Sequence, residues 1–395
     1  MKFVFLTIPA HGHLNPMLGV IRELVKRRHQ VIVYNTADFA DRIRETGAEF
    51  CLPPLTLDPV NFRLMKNALT LAKMSVDFSQ AAVPALAKAI EKEAPDCLVH
   101  DSFSLWGKVV AKMLRLPAVA LVPSIAFNLP VLWQAIPSLF SDFRLFISQP
   151  RRVWSVVSQY RRIYQENGLT KPPFILDLFA NVEDLNIVFT STYFQPQATS
   201  FDKHYRFVGP IIYERGEGEL QKAILQSKKP LIYISLGTIY NDDYEFYKQI
   251  INIFANAPYR VLISVGRYIS IKSLGHIPVH ITVAPYFPQL KVLQQAALFI
   301  SHGGANSINE SLYYGVPLLL VPQIQEQRIN AARVEELGAG IYFKEKPLTK
   351  ENLLLAMRKI LDNADYRLNA EKVGESLKTA GGAKRAVEEI LMYSS

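Results

Sequence analysis

Short, continuous apolar runs alternate with helix-length segments along most of this chain, and that rhythm limits its possible folds more than any other feature. Phe3–Ile8, Val31–Tyr34, Cys97–His100 and Ala118–Val122 read as buried strands. Between them, Asn15-Pro16 opens a helix to about Arg28, with Asn15 as the cap and Pro16 in the first turn. Asp38–Thr46 reads as a helix closed by Gly47, and Leu105–Leu114 as another. Asn186–Thr190 and Tyr205–Val208 look like late strands of this series, and Gly209-Pro210 with the polar stretch Glu214–Gln226 reads as a linker. The rhythm then restarts. Leu231–Leu236 runs into Gly237-Thr238, Tyr244–Phe254 is helical, and Val261–Val265, His280–Val283, Ala297–Ser301 and Leu318–Val321 are further strands. Thr349 caps a helix over Lys350–Leu361, and a last helix covers about Ala383–Met392. The expected class is α/β, with parallel sheets covered by helices on both faces. The predicted boundaries are residues 1–210, a linker 211–228, residues 229–375, and a C-terminal segment 376–395.

Other classes fall away on composition. At 395 residues and 49% hydrophobic content the chain has material for sizeable cores. Its two cysteines, Cys51 and Cys97, make no disulfide framework, which suits a reducing cytoplasm. Met1–Ile8 is short for a signal peptide and reads as a first strand. No run reaches the roughly 18 apolar residues of a membrane span. The net charge of +9 arrives without a dense basic tract or a nucleic-acid motif, so nucleic acid is not an expected partner. Arg151-Arg152 and Arg161-Arg162 are basic pairs on an expected helix: a solvated face, or a peripheral contact with an acidic membrane.

The most specific chemistry lies between Tyr286 and Gln327. The strand Ala297–Ser301 runs into His302-Gly303-Gly304-Ala305-Asn306-Ser307, and a helix then carries Glu310. Glycines let a ligand approach the backbone, Asn306 and Ser307 are good helix caps, and first-turn N–H groups with the helix dipole favour an anion. His302 brings a cation-capable side chain. Such a turn suits a diphosphate, and Glu310, on the same helix face as Asn306, suits a ribose hydroxyl pair.

With HGGANSINESLYYGVP, PQIQEQRINAARVEELGAG and, at the N-terminus, IPAHGHLNPMLGVIRELVKRRHQV, nearly the whole chain resembles glycosyltransferase family 1. Within it the likeness is to the bacterial macrolide-type, YjiC-like UDP-glycosyltransferases. The resemblance implies a GT-B fold, two Rossmann-like doubly wound domains facing a cleft, with the C-terminal helix packing back on the first. It implies that Tyr286, where many relatives have Trp or Phe, stacks on uracil and that the Phe287 backbone reads the base edge. Gln289 and Glu310 then bond the ribose, and Glu326 and Gln327 meet the sugar hydroxyls, favouring an ordinary hexose, with glucose first. Diphosphate contacts fall to His302, Gly304, Asn306, Ser307 and the turn at Gly237 and Thr238. An Asp-x-Asp metal pair is absent, so no metal or other cofactor is expected. The general base is His13, oriented by Asp101; His11 and His100 read as structural.

A direct displacement with inversion follows, from a UDP-sugar to a small hydrophobic acceptor such as a macrolide, flavonoid or other phenol. The aromatic-rich stretch 125–182, with Phe127 and Trp133 as the candidate acceptor contacts and also Phe140, Phe143, Phe146, Trp154, Tyr160, Tyr164, Phe174 and Phe179, would shape that acceptor's pocket together with residues 53–90. No obligate protein partner is evident. The competing readings are a lipid or cell-envelope glycosyltransferase, an epimerase of the same architecture, and a non-catalytic UDP-sugar-binding module.

Overall fold

The computed structural model describes residues 1–55, 67–169, 177–213, 229–239, 241–344 and 348–395, with the backbone alone at 137–143, 145, 177 and 179. The chain forms two compact units, Met1–Tyr213 with Ala380–Ser395, and Glu214–Thr379. The expected linker lies almost wholly outside the described residues, as do Phe174 and the side chains of Phe140, Phe143 and Phe179.

The first unit is built on strands β1 (Lys2–Leu6), β2 (Gln30–Tyr34), β3 (Glu49–Cys51), β4 (Cys97–Asp101), β5 (Ala118–Val122), β6 (Leu185–Val188) and β7 (Tyr205–Phe207). Their order is β3-β2-β1-β4-β5-β6-β7, parallel at every step. Side chains alternate across the sheet, so Phe3 and Phe5 join the core under helix α1 (His11–Lys26), whereas Val4 and Leu6 join the core on the other face. Helices α2 (Ala40–Arg44), α3 (Ala68–Glu93), α4 (Leu105–Leu114), α5 (Leu129–Ser148), α6 (Pro150–Glu166) and α7 (Asp177–Ala180) complete the layers. Leu14, Met17, Leu18, Ile21 and Leu24 of α1 are fully buried, each stabilising the unit by about 2 kcal/mol relative to exposure.

The second unit has β8 (Leu231–Ser235), β9 (Arg260–Ser264), β10 (Ile281–Ala284), β11 (Ala296–Ser301), β12 (Leu318–Leu320) and β13 (Gly340–Tyr342), ordered β10-β9-β8-β11-β12-β13 and all parallel. Its helices are α8 (Tyr244–Phe254), α9 (Gln289–Leu293), α10 (Ala305–Tyr313), α11 (Gln325–Glu336), α12 (Lys350–Leu361) and α13 (Ala364–Thr379). The last helix, α14 (Gly382–Ser394), returns to the first unit, burying Ala386, Val387 and Ile390 in the core that includes α1. These are the two doubly wound α/β units of the GT-B expectation.

Helix α1 departs from expectation. It begins at His11 after Ala10, not at Pro16, which lies inside the helix with Asn15 buried beside it. A proline lacks only its own N–H and restricts the residue before it, so within the second turn it removes one helical bond without stopping the helix. His13 thereby becomes a first-turn residue with its N–H on the Ala10 carbonyl at 3.0 Å.

Candidate functional site

In open parallel sheets, ligands gather beyond the carboxyl ends of the strands where the strand order reverses. In the first unit that point lies between β1 and β4. His13 follows β1 and Asp101 ends β4, and the two meet with Nδ1 2.7 Å from Oδ2. Asp101 is fully buried, and its second oxygen accepts from the Phe103 N–H at 2.8 Å. A carboxylate only accepts, so Nδ1 of His13 carries a hydrogen, which in the neutral imidazole leaves the lone pair on Nε2. The imidazole is about a quarter exposed, and the Phe103 ring packs edge-on against it at 5.4 Å. The site thus holds a fixed tautomer on a buried anchor with one edge open to solvent.

The neighbouring histidines have other duties. His100 is buried between the Asp101 carbonyl at 3.0 Å and Glu183 at 3.1 Å. His11 meets Arg42 at 3.0 Å and packs edge-on to Phe39. Phe127 follows β5 and lines a small cavity with Ser102, Phe103 and Ser124, whereas Trp133 stands 71% exposed on α5.

In the second unit the order reverses between β8 and β11, and the two strands end alike. The Gly237 N–H donates to Ser235 Oγ at 3.2 Å, and the Gly303 N–H to Ser301 Oγ at 3.3 Å. Both glycines take positive φ, +81° and +87°, which only glycine adopts readily. The His302 ring fills the space between the turns. A Cβ on Gly237 would lie 2.6 Å from its Cε1, and one on Gly304 2.6 Å from its Nε2. Gly304 therefore makes room for this imidazole. Burial pushes the His302 pKa down to about 4, opposed by a hydrogen bond to the Ser235 backbone. The expectation of a cation is thus corrected: at neutral pH, His302 is a neutral hydrogen-bonding group.

A second correction concerns α10. Its cap is Gly304, with no side chain capping the helix, and Asn306 and Ser307 are first-turn residues instead. The chain has already turned at Gly303, so the helix starts earlier than a polar-cap rule predicts, with the first helical bond from the Ile308 N–H to the Gly304 carbonyl. The first-turn N–H groups still sit at the positive end of the helix dipole, and Thr238 is exposed just beyond Gly237.

The two expected ribose contacts come together: Gln289 Nε2 donates to Glu310 at 2.6 Å. Because the carboxylate only accepts, the amide oxygen faces the other way, where the Tyr233 hydroxyl donates to it at 3.3 Å. Tyr233, on β8, is buried and stacks on Phe299 with centroids 4.7 Å apart. Tyr286 stands 52% exposed three residues before Gln289, with Phe287 partly buried.

Glu326 is partly exposed in the first turn of α11, but Gln327 is buried and accepts from the N–H groups of Gln323 at 2.8 Å and Ile324 at 3.3 Å. Its carbonyl oxygen therefore closes the start of the helix, so the simple sugar-contact expectation is corrected to a structural role for that atom. Sequence reasoning missed Asn330 and Asn241. Asn330 Nδ2 donates to the Gly303 carbonyl at 3.2 Å, and Asn241 Nδ2 to the Gly237 carbonyl at 2.8 Å. Each braces one glycine turn, Asn330 from 27 residues away and Asn241 from four. Among the described residues no group of three or more His, Cys, Asp or Glu is placed to hold a metal ion.

Comparison with known proteins agrees with this architecture. Residues 261–389 match the family described as Erythromycin biosynthesis protein CIII-like, C-terminal domain. The chain is 34% identical over 390 residues to the NDP-glycosyltransferase YjiC of Bacillus subtilis (strain 168), covering 98% of this chain and 95% of that protein. It is 30% identical over 397 residues to the oleandomycin glycosyltransferase of Streptomyces antibioticus, covering 97% and 89%. The crystal structure of the glycosyltransferase of kitacinnamycin superposes with a TM-score of 0.87 at 25% identity, covering 100% of this chain and 99% of that one.

Proposed function

The chain belongs to the macrolide-type, YjiC-like branch of glycosyltransferase family 1, and from that membership we propose that it transfers glucose from UDP-glucose to a hydroxyl of a small hydrophobic acceptor, with inversion and without a metal. That it is a nucleotide-sugar glycosyltransferase of the GT-B fold follows from the family. Macrolides, flavonoids and other phenols are the acceptor class we put forward, with Phe127 and Trp133 among the contacts.

The observation that carries the mechanism is the His13–Asp101 pair. The acceptor hydroxyl gives its proton to His13 Nε2, and its oxygen bonds to the anomeric carbon as the bond from that carbon to the diphosphate oxygen breaks. UDP leaves, and a UDP-α-sugar yields a β-glycoside. Asp101 stabilises the imidazolium that forms at His13. At the donor, Tyr286 stacks on uracil beside the Phe287 backbone, Gln289 and Glu310 hold the ribose, and Glu326 with the amide nitrogen of Gln327 meets the sugar. The diphosphate is met by neutral His302, by Gly304, Asn306 and Ser307 at the start of α10, and by the Gly237-Thr238 turn. The lack of an Asp-x-Asp pair supports a metal-independent reaction. Free Cys51 and Cys97 support a reducing cytoplasm, and no helix among the described residues is long and apolar enough to cross a membrane.

The test is mass spectrometry of reactions containing chelator, UDP-glucose and a panel of macrolides, flavonoids and phenols. A gain of one hexose on an acceptor, abolished by His13→Ala while UDP binding persists, is the expected result. Unchanged turnover in that variant removes His13 as the base. Conversion of UDP-glucose, without any acceptor, into a chromatographically distinct isomer of the same mass points to an epimerase.

A further inference from the structure

Helix α6 is two-faced in an unusual way. Val156, Tyr160, Ile163 and Tyr164 are buried on one side. At 3.6 residues per turn, Arg151, Trp154, Arg161 and Arg162 fall within about 100° of arc on the opposite side. All four are exposed, Trp154 by 72%. Arg152 is exposed at the flank of this face, and the helix contains one carboxylate, Glu166, at its last position.

The preceding helix carries exposed apolar side chains of its own. On α5, Leu129, Ile136, Arg144 and Ile147 share one side by helical spacing, and all four are exposed. Ile147, at 67% exposure, lies four residues before Arg151. Among the described residues none of these five arginines pairs with a carboxylate; Arg152 bonds the Gln149 side chain at 2.8 Å. Exposed apolar side chains beside cations that have no carboxylate partner among the described residues are costly to leave in water and have little to gain from a purely polar partner.

We propose that the α5–α6 surface docks on a lipid bilayer rich in anionic headgroups, with Trp154 and Ile147 entering the interface and the arginines meeting lipid phosphates. The chemistry favours lipid over an acidic polynucleotide: exposed aliphatic and indole side chains gain from a headgroup–acyl boundary, where Trp is at home, but not from a phosphodiester backbone. Each arginine at such a surface strengthens binding by about fivefold. The chain's net charge of +9 adds long-range attraction. Docking is independent of the transfer reaction and leaves His13 and the donor box untouched.

The experiment is sedimentation of the full-length protein with vesicles of phosphatidylcholine alone or with one third phosphatidylglycerol, at low and high salt. Binding to the anionic vesicles, weakened by salt and lost on zwitterionic ones, is expected. Arg151→Ser, Arg152→Ser, Arg161→Ser and Arg162→Ser combined should lower the partition coefficient by more than a hundredfold, while the four lysine replacements retain it. Trp154→Ser should weaken it severalfold on its own. Both sets should keep the circular dichroism spectrum and turnover of a soluble acceptor. Absence of sedimentation with anionic vesicles overturns the proposal, as does binding indifferent to the serine variants. Equal affinity for a duplex oligonucleotide, unaffected by Trp154→Ser, also overturns it.

Discussion

Asp101 illustrates how one buried oxygen can govern chemistry at the other side of an imidazole. Replacing it with Asn supplies an N–H where His13 needs an acceptor, which favours the wrong tautomer. Asp101→Asn should cut kcat by about 10³ with little change in acceptor KM, as measured by steady-state kinetics. His302 has the opposite balance, being neutral because it is buried. Its folded pKa is about 4 against an ordinary 6.5, so between those values the unfolded chain holds one more proton. Its contribution to stability is complete above about pH 6.5 and is lost as pH falls toward 4, at roughly 1.4 kcal/mol per pH unit. Denaturant unfolding across that window should show a shallower slope in His302→Asn; an unchanged slope contradicts the burial argument. Gly304→Ala would press a methyl group into the same ring, and UDP affinity should fall at least tenfold by calorimetry. His13 and Asp101 were legible in the sequence because residues at the ends of parallel strands converge. Gly304 was only half legible, since a glycine that admits a ligand and one that admits a neighbour's ring look the same in a string of letters.

At the scale of elements, the ribose contacts depend on a strand that never touches the ligand in the proposed arrangement. Tyr233 on β8 fixes which way the Gln289 amide points, and so which atom Glu310 receives. Tyr233→Phe removes one hydrogen bond while keeping the stack on Phe299. Donor KM should rise about fivefold with kcat nearly constant, and preference for UDP-glucose over its 2′-deoxyribose analogue should shrink. A fall in kcat at unchanged KM contradicts this role. The central strands and helices such as Leu105–Leu114, Tyr244–Phe254 and Lys350–Leu361 were readable because burial on both faces and polar caps leave local marks. The start of α1 was misplaced because Pro16 mimics a helix opening. Helix α3, with Pro84 in its interior, lies mostly within residues 53–90, where no element was read from the sequence. The edge strands β3 and β13, three residues each, are too short to carry a period.

For the molecule as a whole, the first unit depends on its far end. Helix α14 lays Val387 and Ile390 into the core that holds Leu14 and Ile21, and Arg206 and Arg27 pair with its Glu389 at 2.8 Å and Glu388 at 3.4 Å. Ile390→Asp should raise amide hydrogen exchange in α1, β6 and β7 while leaving β8 to β13 protected. Uniform loss of protection would show instead that the two units unfold as one. The same return of the chain makes the unit that is synthesised first depend on residues added last. The second unit is one contiguous stretch, whereas the first waits for Ala380–Ser395 to close its core. Throughout translation the earliest-made segment stays open over Leu14 and Ile21, which gives chaperones their longest-lived target on the nascent chain.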